Sequence, residues 1–252
     1  MVPEVNQWLI PARSGSKGLP DKNILDIDGY PLLAYSIAFA KRLAVDRVIV
    51  STDSERYREI ALNFGAECPY LRGEEASRDA ANWEAIIADL AANLPKFAIS
   101  LPDVWINLKP VNPFRSLEHT LRGLDILARC RDVDSVRIVS EADARLHYID
   151  EQGFLRPYGN GWDSNLSKMF RSQFPRVYQP YNLEIFRHEG WVRWDRKFMG
   201  ERTVPIVAPK ITGIDIDDRD TFEIAKALIE MRPRPDVVAR HIHLQIRPSV
   251  TP

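Results

Sequence analysis

Short apolar runs alternate with longer segments of helical spacing through the first half of the chain, a pattern that produces a parallel sheet covered by helices on both faces. Strands are expected at Trp8–Pro11, Arg47–Ser51, Glu67–Leu71, Val104–Leu108 and Ser135–Ser140. Helical spacing marks Leu32–Leu43, Ser54–Phe64, Asn82–Leu94 and Ser116–Ala128, with Gly65 positioned to cap the second of these. The expectation is a three-layer α/β domain with its ligand at the carboxyl ends of the strands. After Ser140 the period changes. Leu146–Arg156 reads as a hairpin about Asp150-Glu151-Gln152-Gly153, and residues 156–176 are rich in Gly, Pro, Asn and Ser without periodicity. Helical spacing returns after Asp217, with Phe222, Ala225, Leu228 and Ile229 on one face. This divides the chain into an α/β domain (residues 1–140 and 199–230), an inserted β-rich arm (141–198) and a C-terminal tail (231–252). An irregular stretch this long inside a domain is expected to be functional or to pair with another chain.

Composition narrows the class of partner. With 34 basic and 35 acidic residues the net charge is −1, so no global field recruits nucleic acid or an anionic membrane, and phosphate binding must be local. No apolar run reaches the roughly 20 residues of a spanning helix, and Met1–Gln7 lacks the basic-then-apolar pattern of a signal peptide. The expected location is the cytoplasm. Cys68 and Cys130 are far apart and belong to no metal-ligand spacing, so both are expected as buried, inert thiols.

Two stretches carry chemistry. In Leu9-Ile10-Pro11-Ala12-Arg13-Ser14-Gly15-Ser16-Lys17-Gly18-Leu19-Pro20-Asp21-Lys22-Asn23, an apolar strand runs straight into a loop with two glycines, two serines and three cations. Glycine lets the main chain approach phosphate oxygens, and Arg13, Lys17 and Lys22 can offset the charge that builds on leaving phosphates. A solvated surface loop would have the same composition, and the stretch is neither a Walker A loop nor a Gly-x-Gly-x-x-Gly motif. The second stretch is Gly213-Ile214-Asp215-Ile216-Asp217-Asp218. In an extended chain Asp215 and Asp217 share a face and can ligate one hard cation such as Mg²⁺. Asp217 or Asp218 can equally serve as the N-cap of the helix that follows, and the two roles are compatible if Asp218 caps.

The glycine loop closely resembles the signature of the acylneuraminate cytidylyltransferase family, with Ser14 where the family has glycine. Further family-like pieces follow in order: Gly29-Tyr30-Pro31-Leu32, the run from Asp46 to Asp53, Phe64-Gly65-Ala66-Glu67, Asp103-Val104, and Pro110-Val111-Asn112-Pro113-Phe114-Arg115. The resemblance spans about residues 8–230. It implies a Rossmann-like nucleotidyltransferase fold with a dimerisation arm, hence a homodimer. It also implies attack of an acidic sugar's hydroxyl on the CTP α-phosphorus with release of pyrophosphate. Ala12, Arg13, Gly15, Ser16, Lys17, Asn23 and, more remotely, Ser77 are then expected at the nucleotide, with Arg13, Lys17 and Lys22 as catalytic cations. An Asp-x-Asp before the last helix is also family-like, which makes Asp215 and Asp217 the expected ligands of Mg²⁺ or Mn²⁺.

In the arm, Phe170-Arg171-Ser172-Gln173-Phe174-Pro175-Arg176-Val177-Tyr178 resembles a family run that reaches the sugar. Arg171 is the expected grip on the acceptor carboxylate, with Gln173 and Tyr178 beside it. Lys109 stands where the family has glutamine near the sugar, and Glu184 replaces a small residue. An ammonium only donates, so the acceptor is expected to differ from sialic acid, as a legionaminate, pseudaminate, Kdo-like sugar or phosphonate would. Lys109 could instead face the triphosphate or pair with Glu184. His241 and His243 suit a strand face, and Trp162, Trp191 and Trp194 suit either a ligand or an interface. A binding protein without turnover and a retaining glycosyltransferase remain alternatives from other classes.

Overall fold

The computed structural model describes residues 7–43, 47–79, 81–158, 170, 173–193 and 199–231. Strand β1 (Gln7–Pro11) leads into a short ribbon, β2 (Asp26–Ile27) and β3 (Tyr30–Pro31), followed by α1 (Leu32–Ala40) and β4 (Arg47–Ser51). Next come α2 (Glu55–Asn63), the single turn α3 (Glu74–Ser77), α4 (Trp83–Asn93), β5 (Val104–Leu108), α5 (Leu117–Arg129) and β6 (Ser135–Ala142). The hairpin β7 (His147–Ile149) and β8 (Leu155–Pro157) precedes β9 (Val177–Arg187), α6 (His188–Arg193), β10 (Thr203–Ala208) and α7 (Arg219–Met231).

Six strands form the central sheet in the order β10-β6-β9-β5-β1-β4. β1 runs parallel to β4 and β5, and β10 parallel to β6, whereas β9 is antiparallel to both of its neighbours. Alternation along the strands splits the core in two. Ile10, Val50, Ile106, Ile138 and Ile185 pack with Leu33 and Ile37 of α1 and Leu124 of α5. On the other face Leu9, Ile49, Trp105 and Phe186 meet Ile87 and Leu90 of α4 and Trp191 of α6. Helices thus cover both faces, giving the three layers. A third cluster, including Leu19, Leu32, Val111, Ile216 and Phe222, ties α7 to the loops at the carboxyl ends of β1 and β5.

Helix ends follow local chemistry. The side chains of Ser54, Asn82 and Ser116 accept from the N–H three residues on and cap α2, α4 and α5. α2 closes on Gly65 at φ +74°, with Gly65 N–H bonded to the Leu62 carbonyl and Ala66 N–H to the Ala61 carbonyl, a Schellman motif.

Four expectations need amendment. Glu67–Leu71 contributes a single bridge, Ile49 to Glu67, because Pro69 removes the next donor from the ladder. β10 lies at the sheet edge beside β6, where its Pro205 is tolerated, and the sequence reading left it out. Within the segment set apart as an arm, residues 141–198, β9 is a central strand, so the chain re-enters the domain well before residue 199. Cys130 is exposed, although Cys68 is buried. The hairpin β7–β8 forms where expected. Arg171, Trp162, Trp194, His241 and His243 lie outside the described residues. Among the described residues no helix is long and apolar enough to cross a membrane.

Candidate active site

Three loops converge where β1 and β5 end, the position at which open α/β sheets bind ligands. The glycine loop leaves β1 at Pro11. Asp53, just beyond β4, anchors it by accepting from the Ser14 N–H at 2.7 Å and the Ser14 hydroxyl at 3.1 Å. The buried Asn23 donates to the Arg13 carbonyl at 3.0 Å. The loop after β5 is tied to the Asp215–Asp217 segment: Ile216 N–H donates to the Val111 carbonyl, and Asn112 Nδ2 donates to the Ile214 carbonyl, both at 3.0 Å. Gly18 closes the triangle, since a Cβ there would stand 2.7 Å from the Asp217 carbonyl oxygen.

These loops enclose a cavity of about 760 Å³, within the usual range for small-molecule sites. Five cations line it, Arg13, Lys17, Lys22, Arg72 and Lys109, against the carboxylates of Glu84 and Asp217. Ser16, Asn23 and the apolar Trp83, Ile86 and Val111 complete much of the wall. In a chain with a net charge of −1, this concentration of positive charge suits a polyanion. Arg13 Nη1 contacts Asp79 Oδ1 at 2.6 Å and Lys17 Nζ contacts Asp79 Oδ2, while Lys22 Nζ lies 2.5 Å from Asp217 Oδ1.

Asp215 and Asp217 set two like charges close to one another. Burial pushes the Asp215 carboxyl up to about 6, the negative charge of Asp217 adds to the rise, and Lys109, Lys22 and Arg115 oppose it. Asp215 Oδ1 is buried without a hydrogen-bond partner. An orphaned acceptor beside a second carboxylate fits a divalent cation. Among the described residues no group of three or more His, Cys, Asp or Glu side chains gathers for a metal, so phosphate oxygens and water would complete its shell, as Mg²⁺ prefers. Asp218 acts separately. Its Oδ1 accepts from the Thr221 N–H at 2.8 Å, and Thr221 Oγ1 accepts from the Asp218 N–H at 3.2 Å, a reciprocal cap on α7.

The other expected site residues divide. Arg13, Ser16, Lys17, Lys22, Asn23, Lys109 and Asp217 line the cavity. Ala12 is buried beneath it with its N–H on the Ser51 carbonyl, and Gly15 turns the loop at φ +69°. Ser77 does not line it. Its hydroxyl donates to the Gly73 carbonyl at 2.8 Å and accepts from Arg72 Nε at 3.3 Å, so it acts by holding Arg72. Gln173 and Tyr178 also lie away from it. Gln173 Oε1 accepts from the Phe170 N–H, and Tyr178 pairs with Glu141 in the β6–β9 ladder.

Lys109 has the third of its expected roles: Nζ is 3.1 Å from Glu184 Oε1 and sits over the Trp83 ring, 5.6 Å from its centroid. Glu184 is 2% exposed and also accepts from Arg137 Nη2 at 3.3 Å and Asn107 Nδ2 at 2.5 Å.

Arg72 and Arg115 were not singled out from sequence. Arg72 is buried, with Nη1 unpartnered at the cavity, and burial lowers the pKa of its guanidinium against the pull of Asp53 and Asp89. Arg115 donates to Ser36 Oγ at 3.0 Å and to the Lys109 carbonyl, fixing the loop after β5, and burial takes its pKa down to about 9. Arg72, a solitary basic residue outside any glycine-rich stretch, gives no sequence signal beyond its charge, whereas Arg115 closes the family-like piece that begins at Pro110.

Comparison with known proteins identifies the family. Residues 8–151 match the family model described as cytidylyltransferase. The chain is 31% identical over 244 residues to an N-acylneuraminate cytidylyltransferase of Escherichia coli, an alignment covering 94% of this chain and 55% of that protein. It is 28% identical over 241 residues to CMP-N,N'-diacetyllegionaminic acid synthase of Legionella pneumophila, covering 88% of this chain and 95% of that one. The chain thus spans about half the length of the first relative and nearly all of the second. A solved structure of CMP:2-keto-3-deoxy-manno-octonic acid synthetase complexed with CTP shares the fold at TM-score 0.63 and 18% identity, over 89% of this chain and 98% of that one. With the match covering more than half of its length, the chain belongs to the cytidylyltransferase family.

Proposed function

We propose that this protein transfers CMP from CTP to an acidic sugar of the nonulosonic type, releasing pyrophosphate. The observation that carries the reading is one cavity lined by Arg13, Lys17, Lys22, Arg72 and Lys109 together with Asp217, at the carboxyl ends of β1 and β5. The acceptor hydroxyl gives its proton to water as its oxygen bonds to the α-phosphorus, and pyrophosphate departs with the electrons of the α–β phosphoanhydride bond. Charge grows on the leaving phosphates as this happens, so cations aimed at them favour the transition state over the ground state. Arg13 and Lys17 serve the leaving phosphates, with Lys22 and Asn23 assisting at the nucleotide. Asp215 and Asp217 would hold Mg²⁺ or Mn²⁺, which supplies charge neutralisation at phosphate and acidifies a bound hydroxyl.

Arg171 is assigned to the acceptor carboxylate. The second reading of the acceptor, one with a further anionic group such as a Kdo-like acid or a phosphonate, requires Lys109 at the cavity wall to exchange Glu184 for that group. The reading calls for no nucleic-acid or membrane partner and assigns the enzyme to the cytoplasm. A homodimer through the arm is part of the proposal, supported by the exposed Tyr148, Ile149, Phe154 and Leu155 on and beside the hairpin. Light scattering checks it, and a monomer at micromolar concentration rejects it.

The decisive test is pyrophosphate release from CTP with Mg²⁺ across a panel of nonulosonic acids, Kdo analogues and phosphonates. Release with at least one acid and CTP, and little with ATP, is the expected result. No release with any acid rejects CMP transfer and leaves a nucleotide binder.

A further inference from the structure

Asp79 is the one carboxylate in contact with both Arg13 and Lys17 among the described residues, one oxygen on each cation. Both cations line the main cavity, and Asp79 does not. Its carboxyl is held below the usual carboxylate range by the hydrogen bond from Lys17 and then by that from Arg13. The path of the glycine loop is set by other groups, since Asp53 holds Ser14 and Asn23 holds the Arg13 carbonyl. Asp79 therefore contributes charge rather than backbone support. Two anionic oxygens spread over Arg13 and Lys17 reproduce what two oxygens of one phosphate group would offer the same donors. Lys17 is 81% exposed along its side chain, so water can replace its ion pair at little cost.

We propose that Asp79 is a positioning residue that holds Arg13 and Lys17 in the empty site, yields them to the incoming triphosphate, and competes with pyrophosphate for them after transfer, so hastening product release. This rests on the reading of the glycine loop as the site of the leaving phosphates. The fraction of molecules with both cations free sets the apparent affinity for a phosphate ligand, and removing the internal competitor raises that fraction.

The test titrates inorganic pyrophosphate with Mg²⁺, without acceptor, into the unaltered protein, Asp79→Asn and Asp79→Glu by calorimetry, with a melting curve for each. Asp79→Asn is expected to bind pyrophosphate at least about fivefold more tightly, with Asp79→Glu returning toward the unaltered protein. In steady state Asp79→Asn should show a lower KM for CTP, stronger product inhibition and no gain in kcat. Unchanged or weaker pyrophosphate binding by Asp79→Asn overturns the proposal, as does equal behaviour of the Asn and Glu variants. Because this binding needs no acceptor, tightening in a protein that turns over no acid would reject CMP transfer and keep the role of Asp79. Turnover with unaltered pyrophosphate affinity would do the reverse.

Discussion

Asp79 and Glu184 are each held by a pair of cations, both of Asp79's and one of Glu184's at the wall of the same cavity, in opposite surroundings. Asp79 meets Arg13 and Lys17 in the open, on a loop after the single turn α3. Glu184 meets Lys109 and Arg137 inside the sheet, directly across from Asn107 on β5 and Arg137 on β6, with Asn107 Nδ2 on its second oxygen. Water competes freely for the first group, so its ion pairs can be exchanged. The second is desolvated, and removing the shared carboxylate strands its donors. The same charges make an exchangeable contact in one place and a structural one in the other.

The largest expected effect tests the buried member. Glu184→Ala leaves Lys109 and Arg137 without their shared carboxylate and should cost about 3–5 kcal/mol of stability, read from denaturant unfolding. A loss under about 1 kcal/mol would place Glu184 in the same class as an exposed pair. Asp217→Asn comes next and should act on chemistry: turnover should fall at least about 100-fold with the fold intact, because the amide keeps the volume and removes a ligand charge. Near-normal turnover at saturating Mg²⁺ would leave Asp217 only as the partner of Lys22. Lys109→Gln should cost about 1.5 kcal/mol of stability, since Asn107 and Arg137 still satisfy Glu184, and should change the acceptor's specificity constant more than that of CTP. A change confined to CTP would turn Lys109 toward the triphosphate. The smallest effect belongs to Asp79→Ala, which should cost no more than about 1 kcal/mol of stability, as an exposed pair does. A larger loss would erase the contrast between the two carboxylates.

What could be read in the sequence was local. The helices that begin near Ser54, Asn82 and Ser116, the Asp218 cap and the Gly65 stop each depend on neighbours a few residues away, and each forms where the spacing places it. β9 was hidden because its identity as a central strand lies in its partners. Glu184 pairs with Asn107 and Arg137, which are 77 and 47 residues distant, and a charged residue in mid-strand reads as solvent-facing when those partners are unknown. Arg72 was obscured in the same way, a lone charge that acquires meaning only when the segment after α2 is laid against the glycine loop, whereas Asp79, with Ser77 and Asn82, stands where the family has a Ser/Asp-rich turn near the nucleotide. Lys109 stood out in sequence as a departure from the family, and its contact with Glu184 was one of three roles open to it.

The position of β9 also bears on how the chain comes to be folded. During synthesis β1, β4 and β5 can associate early, their crossover helices already made, but the next place in the sheet stays open until Val177–Arg187 has emerged. β6 is synthesised earlier and cannot take its final position until β9 is inserted beside it, and β10 must then dock on β6. The free edge of β5 is therefore presented to other chains for the time needed to make about 80 residues, the interval from Leu108 to Arg187. Pairing over such separations slows folding. Shortening the arm would then change how fast the edge is covered, making yield on expression a more sensitive gauge of that segment than the stability of the finished protein.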